Sequence, residues 1–311
     1  MLAEHGAVGV WVSGAAFQHE VAFYEGSGGL VSVVLPFVHA AVDRGEPTVV
    51  ALAGERLTRV RDAVGERADA VEWVDMADIG RNPACLIPAW RGMLRDHDPA
   101  VPVNGVGEPA WAERTEAELA EAVLNEALVN IAFDRDRPLS LLCPYDRGTL
   151  PAHVVEEAAQ VHAVAHDERA GVEHARRMFT RPLPAPPLGT LGLPFDGTML
   201  AVVRDVVRTE AAAARLDTST TDDLVLAVHE VAANSVQHGG GSGSVLVWHG
   251  AGSLVVEVQD LGVIDDVLVG RGAVDLGSEN GRGVWIANQL VDLVQVRSGR
   301  HGTQVRLHTW L

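Results

Sequence analysis

The stretch from Thr221 to His238 constrains the fold of this chain more than any other. Its sequence, TDDLVLAVHEVAANSVQH, is typical of a single amphipathic helix. Leu224, Val228 and Val231 recur at helical spacing and mark the face that should be buried. We therefore predict a helix here that packs one side against a sheet or a second helix.

Three polar residues follow the same helical spacing on a different stripe. Glu230, Asn234 and His238 are four residues apart, so they line one side of the predicted helix. A carboxylate can deprotonate an attacking nucleophile, and an amide oxygen one turn away can ligate Mg²⁺. The stripe alone fits a solvated helix face equally well, so it leaves both interpretations open.

Glycines and one carboxylate follow in a fixed order downstream of this helix. Asp260 ends the predicted strand VVEVQD, and Gly262 comes two residues later. Gly281 and Gly283 open a further helix, where backbone N–H groups can approach phosphates. Thr303 lies at the start of the last predicted strand. One glycine pair is a weak signal, but the ordered set is specific.

This order of motifs resembles the GHKL ATPase superfamily, and within it the small anti-sigma-factor serine kinases. The resemblance covers residues 194–311 and implies an α+β sandwich that binds ATP and Mg²⁺. It implies Glu230 as the catalytic base and Asn234 as the Mg²⁺ ligand. The nucleotide-binding residues that it implies are Asn234, His238, Asp260 (at the adenine amino group), Gly262, Gly281 and Gly283 (at the phosphates), and Thr303 (near adenine).

One residue departs from the pattern of that superfamily. Its D-x-G-x-G motif reads Asp260-Leu-Gly262-Val-Ile264 here, so the second glycine is missing. A glycine gives the backbone freedom beside a nucleotide. We expect the substitution at Ile264 to bear on affinity and turnover.

Chain length and charge limit the number of domains and the classes of ligand that this protein can bind. At 311 residues the chain can form two domains, each with its own core. A net charge of −18 argues against direct nucleic-acid binding and against membrane binding. All 24 basic residues are arginine, and the missing lysine excludes a Walker A phosphate loop.

The cellular compartment is predicted from what the sequence lacks. The first ten residues do not form a signal peptide, and no apolar run approaches transmembrane length. Two cysteines, Cys85 and Cys143, are too few for a disulfide framework. We expect a cytoplasmic protein.

Strands alternate with helices through the first half of the chain. Buried strands are predicted near residues 19–24, 47–53, 71–74, 99–106 and 138–144, and this alternation favours an α/β, RecA-like, mostly parallel sheet. Thr115 and Glu118 form a capping box at the start of a long helix.

Polar and aromatic residues cluster near the predicted strand ends of this half, where open α/β sheets bind ligands. The set resembles the MEDS sensory domain over residues 15–162, and it implies a sensory role for an unidentified small-molecule signal. Single residues also have structural explanations: Trp111 as core, Cys143 as a small buried hydrophobe, Glu108 with Arg114 as a surface pair. The residues assigned to the sensory ligand are His19, Tyr24, Glu108, Trp111, Arg114, Glu126 and Tyr145.

A proline- and glycine-rich stretch separates the two halves. We predict a sensory domain at residues 1–178, a linker at 179–193 and an ATPase domain at 194–311. Ahead of the linker, His166 begins the sequence HDER, which resembles the phosphoacceptor box of a histidine kinase. His162 and His166 are also spaced as metal ligands can be, but no third ligand is evident. We predict a solvated helix for both.

Together these features predict a cytoplasmic signalling regulator. The resemblance implies a sensory domain that controls a serine kinase, whose substrate is an anti-sigma antagonist of the STAS type. It leaves a sigma factor and a second copy of the chain as further candidate partners. The alternatives are an ATP-gated binding module without phosphotransfer and a degenerate histidine kinase.

Overall fold

A computed structural model of the chain describes residues 17–133, 137–190, 192–250, 252–272 and 282–311. The prediction for Gly281 concerns a residue outside this described part. The first half forms a five-stranded parallel sheet in the order β1-β5-β4-β2-β3. Its strands are β1 (Gln18–Tyr24), β2 (Thr48–Leu52), β3 (Glu72–Asp75), β4 (Val103–Gly107) and β5 (Leu139–Asp146).

Helices cover both faces of this sheet. Along β2 and β5, alternate side chains enter two different apolar clusters: Val49 and Leu141 join one, and Val50 and Leu142 join the other. Both faces are buried, as expected for a parallel sheet. The helices are α1 (Gly26–Asp43), α2 (Glu55–Val64), α3 (Met76–Ile79), α4 (Leu86–Arg95), α5 (Glu116–Ala132), α6 (Ala152–Ala163) and α7 (Glu168–Thr180), with short 3-10 helices at Gly65–Ala70 and Pro83–Cys85.

Helix α5 is the best-buried helix of this half. Its predicted capping box is present: the Thr115 hydroxyl accepts from the Glu118 N–H, and the Glu118 carboxylate accepts from the Thr115 N–H. From Glu121 to Asn130 every residue is buried, including the polar ones. Polar groups that are buried in a helix need partners, and Glu121, Glu126 and Asn130 find theirs on other elements.

Helix α1 corrects one expectation. Among the described residues it alone is long and apolar enough to cross a membrane by length and composition, so the statement that no apolar run approaches that length is wrong. Leu30, Val34, Phe37 and Val38 on this helix are buried in the cluster that includes Val50 of β2. A core helix of a soluble protein meets the same criterion.

The second half forms an antiparallel sheet in the order β6-β7-β8-β10-β9. Its strands are β6 (Gly192–Asp196), β7 (Ser242–Gly250), β8 (Ser253–Asp260), β9 (Leu293–Gly299) and β10 (Gly302–Trp310), and its helices are α8 (Leu200–Ala213), α9 (Thr218–His238) and α10 (Arg282–Leu290). Helix α9 begins at a cap formed by Asp217, whose carboxylate accepts from the Thr220 N–H. It buries Leu224, Val228 and Val231, as predicted.

Two elements differ from the predictions. Strand β6 overlaps the end of the predicted linker and helix α7 overlaps its start, so the described linker residues without helix or strand are 181–190. Helix α7 lies between His166 and the linker, where we predicted no second helix. His166 itself lies in the turn between α6 and α7, not in a helix.

Candidate functional site

The carboxylate of Asp260 lies at the end of β8 and is held on both oxygens. Its Oδ2 accepts a hydrogen bond from the Ser235 hydroxyl at 2.6 Å, and its Oδ1 accepts from the Gly262 N–H at 2.8 Å. Each carboxylate oxygen keeps a second lone pair for another donor. The side chain is therefore fixed in direction and can still accept a hydrogen bond from a ligand.

Thr303 lies opposite Asp260 in the pairing of β8 with β10. Its hydroxyl donates to the Gly262 carbonyl at 2.8 Å and lies 2.8 Å from the Ser298 hydroxyl. The Ser298 oxygen also accepts from the Ile264 N–H at 2.7 Å. This network holds the loop after β8 against the adjoining ends of β9 and β10.

Two glycines allow close approach around the Asp260 carboxylate. A Cβ on Gly239 would lie 2.6 Å from the Ser235 carbonyl oxygen and 2.7 Å from Asp260 Oδ1. A Cβ on Gly262 would lie 2.7 Å from the Gly239 Cα. Real Cβ atoms do not approach this closely, so the geometry at Asp260 requires glycine at both positions.

The backbone at Ile264 does not require glycine. Arg215 is the one non-glycine residue with positive φ in the described part of the chain, so Ile264 adopts a conformation open to any side chain. Its side chain is half-buried against the apolar core. The missing second glycine therefore introduces no backbone strain here.

The polar stripe of α9 lies as its spacing predicts. Glu230 and Asn234 are half-buried, whereas His238, the last helical residue, is exposed. Gly283 at the start of α10 lies against this stripe: a Cβ there would overlap the Asn234 amide and lie 3.3 Å from the Glu230 carbonyl oxygen. Neither the Glu230 carboxylate nor the Asn234 amide has a hydrogen-bond partner among the described residues.

These residues fit a magnesium–nucleotide ligand. Asp260 provides an oriented hydrogen-bond acceptor beside Gly239 and Gly262. Asn234 provides a side-chain amide that lies against Gly283 at the start of α10. Oxygen ligands suit Mg²⁺, and a helix start suits phosphate. Sequence reasoning missed Ser235, Gly239 and Ser298, because small residues in a helix or strand carry no distinctive pattern.

The sensory residues fall into two separate groups. In the first, the Tyr24 hydroxyl donates to Glu108 Oε1 at 3.0 Å, and Arg56 Nε donates to Glu108 Oε2 at 2.8 Å. Burial raises the pKa of Glu108, although the charge of Arg56 opposes this shift. The group borders a cleft of about 560 Å³ at the carboxyl ends of the strands, which Trp111 also lines.

Arg114 has a structural position beside this cleft. Its guanidinium stacks 3.6 Å from the centre of the Trp111 ring and donates to the carbonyl oxygens of Gly80 and Arg81. Burial lowers the pKa of Arg114 to about 10. The suggested surface pair of Glu108 with Arg114 is wrong, because both residues are buried and each has other partners.

The second group is a buried cluster under the sheet. His19 Nε2 lies 3.2 Å from Glu126 Oε2 and 3.3 Å from the Cys143 sulfur, and His162 Nε2 lies 3.4 Å from the same Glu126 oxygen. Tyr145 is fully buried nearby, with its ring centre 6.2 Å from that of His162. The prediction of a solvated His162 is wrong, since 6 % of the residue is exposed. Its partners lie far away in sequence.

Burial and the histidines set the ionisation of this cluster. Burial raises the pKa of Glu126, but hydrogen bonds and charges from His162 and His19 outweigh it, and the net pKa is lowered. Burial raises the pKa of Cys143 and Tyr145 and lowers that of His162. The carboxylate of Glu126 is therefore ionised at neutral pH, whereas the thiol of Cys143 and the phenol of Tyr145 keep their protons.

The two halves of the chain meet through a buried ion pair. Glu121 on α5 accepts from Arg297 of β9 at 2.5 Å, and its other oxygen lies 3.5 Å from Arg271. Glu121 is 0 % exposed and Arg271 is 1 % exposed. Arg271 lies in the loop after β8, and Arg297 lines the same cleft as Asp260, Ser298 and Thr303.

A second contact reaches the helix that begins beside Asn234. The Asn82 amide donates to the Asn288 side chain at 3.0 Å, and Asn288 donates to the Gly270 carbonyl at 3.1 Å. Cys85 lies 3.5 Å from the Asn288 carbonyl oxygen. Asn82 also caps the short helix after it, because its side-chain oxygen accepts from the Ala84 N–H. Residues of the first half thus contact α10 directly.

Comparison with known families agrees with both halves of this description. Residues 18–163 match the MEDS family, the methanogen/methylotroph, DcmR sensory domain, and residues 193–309 match the histidine kinase-like ATPase domain. The chain therefore joins a MEDS sensory domain to a histidine kinase-like ATPase domain. Both resemblances at this level are confirmed.

No curated protein matches the chain. One solved structure with some similarity contains the RsbU and RsbW domains of Rv1364c from Mycobacterium tuberculosis. Its sequence identity is 18 %, its TM-score is 0.30, and the match covers 51 % of this chain. The match spans 48 % of that structure, about half of its length.

Proposed function

We propose that the chain is a signalling regulator in which the MEDS domain controls an ATP-binding serine kinase. The substrate would be an anti-sigma antagonist of the STAS type, and the catalytic unit would be residues 194–311. The observation that supports this proposal is the oriented carboxylate of Asp260, together with Glu230 and Asn234 one turn apart on α9 and Gly283 packed against them.

Asp260 would select adenine. Its carboxylate is oriented by Ser235 and Gly262 and retains acceptor capacity for an exocyclic amino group. Thr303 would hold the loop that forms one wall of the base site, together with Ser298. Gly281 and Gly283 would lie at the phosphates, and His238 would mark the end of the site on α9.

Glu230 would accept the proton of the attacking serine hydroxyl. Its carboxylate has no partner among the described residues, and general-base catalysis needs such an available acceptor. Asn234 would ligate Mg²⁺ through its amide oxygen. The bound magnesium–nucleotide would supply the phosphoryl group, while the chain contributes positioning and electrostatics.

Control of the kinase by the sensor is supported by the buried contacts between the halves. Glu121 contacts Arg297, which lines the cleft that contains Asp260 and Thr303, and Arg271, which lies in the loop after β8. Asn82 contacts Asn288 on α10. A shift of α5 or of the segment around Asn82 would therefore act on the loop and helix that border the nucleotide.

The alternatives lose their main support. The binding module without phosphotransfer rested on Ile264, and the backbone there needs no glycine. The degenerate histidine kinase would place its acceptor histidine in a helical hairpin, whereas His166 lies in a turn between helices of 12 and 13 residues. We retain cytoplasmic location, a sigma factor and a second copy of the chain as parts of the proposal.

Phosphotransfer with labelled ATP, Mg²⁺ and STAS-type proteins from the same genome tests the kinase proposal. We expect Glu230→Ala to keep ATP affinity and to lose transfer by about 10²–10⁴-fold. Asp222→Ala, at an exposed position of the same helix, is the matched control and should transfer at the wild-type rate. Wild-type chain that binds ATP and phosphorylates none of these proteins would support the binding module instead.

A further inference from the structure

The cluster of His19, Glu126, Cys143 and His162 has the composition of a metal site. Each residue comes from a different element: β1, α5, β5 and α6 respectively. All four are buried, and their ligand atoms lie within 4.8 Å of one another. Two imidazoles, a carboxylate and a thiol are ligand types that zinc proteins use.

Hydrogen bonds fix which nitrogen of each histidine faces the cluster. The Asn130 amide donates to the Val161 carbonyl at 3.1 Å, so its oxygen must face His19 Nδ1, at 2.8 Å. His162 Nδ1 lies 2.7 Å from the Ala158 carbonyl oxygen. Both Nδ1 atoms must therefore donate, so each ring directs Nε2, the nitrogen that a metal ion could bind, into the cluster.

Both of these nitrogens face one carboxylate. Both Nε2 atoms approach the same oxygen of Glu126, at 3.2 and 3.4 Å. A carboxylate that meets two imidazole nitrogens in a buried site needs a positive charge between them, which protons on the rings or one metal ion can supply.

The distances suit a tetrahedral ion. Bonds of about 2.0–2.1 Å to nitrogen and oxygen place tetrahedral ligand atoms roughly 3.3 Å apart. In the structure, His19 Nε2 lies 3.2 Å and His162 Nε2 lies 3.4 Å from Glu126 Oε2. Both imidazoles donate an outer hydrogen bond, His19 to the Asn130 amide oxygen and His162 to the Ala158 carbonyl oxygen, as ligating histidines typically do.

We infer that the MEDS domain binds one Zn²⁺ ion through His19 Nε2, Glu126 Oε2, the Cys143 thiolate and His162 Nε2. On binding, the Cys143 sulfur loses its proton to solvent, and the thiolate and carboxylate balance the two positive charges. The ion would tie together β1, β5, α5 and α6. Helix α5 also carries Glu121, so the metal would stabilise the helix that contacts the ATPase domain.

Cobalt substitution tests this site in the full chain. The protein, prepared without a histidine tag and treated with a chelator, is titrated with Co²⁺ and then with Zn²⁺. We expect one Co²⁺ per chain, the visible bands of a tetrahedral ion, a sulfur-to-cobalt charge-transfer band, and displacement by one equivalent of Zn²⁺. Absence of the tetrahedral spectrum in the wild type would overturn the proposal.

Two matched pairs of variants assign the ligands. Cys143→Ser should lose the charge-transfer band, whereas Cys85→Ser should keep it. His162→Gln should weaken Co²⁺ binding at least tenfold, whereas His166→Gln, at an exposed position four residues on, should not. A charge-transfer band that survives in Cys143→Ser contradicts the assignment.

X-ray absorption of the zinc-loaded wild type identifies the zinc ligands without any substitution, so the result does not depend on whether a variant folds. One sulfur and three nitrogen or oxygen ligands are expected. A first shell without sulfur, or with two sulfurs, would exclude this ligand set.

Discussion

Replacing Glu121 by glutamine would leave two buried arginines without their counter-charge. Arg271 and Arg297 are 1 % and 8 % exposed, and their guanidinium nitrogens lie 3.5 and 2.5 Å from the Glu121 oxygens. Removing one partner of a buried ion pair costs about 3–5 kcal/mol. Glutamine retains one acceptor oxygen, so we expect a loss near 3 kcal/mol in the free energy of unfolding.

Urea denaturation of the full chain measures this loss. With a slope on the order of 3 kcal/mol per molar urea, the midpoint of the affected transition should fall by roughly 1 M. Proteolysis within residues 181–190, which carry no helix or strand, should accelerate as the halves separate. Glu116→Gln, at an exposed position of the same helix, is the control and should leave both readouts unchanged.

A double-mutant cycle separates the ion pair from a general effect on α5. In Glu121→Gln combined with Arg297→Met, one of the two uncompensated charges is absent, so the destabilisation should be smaller than the sum of the single variants. If Glu121→Gln matches Glu116→Gln in midpoint and proteolysis, the buried pair does not hold the two halves together.

Two further predictions concern the ATPase domain. Gly239→Ala would bring a Cβ to within 2.7 Å of Asp260 Oδ1, so ATP affinity, measured by calorimetry, should fall at least tenfold. Gly272→Ala is the control, because a Cβ there has no atom within contact distance. Equal ATP affinities in the two variants would contradict this geometry. Burial, and then the charge of Arg306, lowers the pKa of His308 to about 4. In the unfolded state the pKa of His308 is about 6.5, so the unfolded chain binds a proton at a higher pH than the folded chain does. The free energy of unfolding should therefore fall by roughly 3 kcal/mol as the pH drops from 6.5 to 4. Proton NMR of the His308 ring should give a midpoint near pH 4, and a midpoint near 6.5 would refute this.

Local signals predicted much of the fold. The apolar spacing of Leu224, Val228 and Val231 identified the buried face of α9, and Thr115 with Glu118 identified the start of α5. Strand β6 could not be predicted, because Gly192–Asp196 shows little alternation and gains its partner only by pairing with β7. Helix α7 was missed because its sequence is mostly polar.

The two candidate sites differ in how well the sequence predicts them. Glu230, Asn234 and Asp260 follow an ordered motif within about eighty residues, so the sequence indicates them. The cluster under the MEDS sheet does not, because His19 and Cys143 are 124 residues apart and meet only when β1 pairs with β5. His162 appeared to lack further ligands for the same reason. Topology, not spacing, assembles this cluster.

Binding of ATP by the full chain tests the central claim most directly. Calorimetry should give one Mg²⁺-dependent site per chain, and Asp260→Asn should weaken it by about 1.5–3 kcal/mol, or roughly ten- to a hundredfold, because the acceptor charge is lost. Asp265→Asn, at an exposed position in the loop after β8, should bind as the wild type does. No heat at millimolar ATP, or equal affinity in Asp260→Asn, would contradict the account.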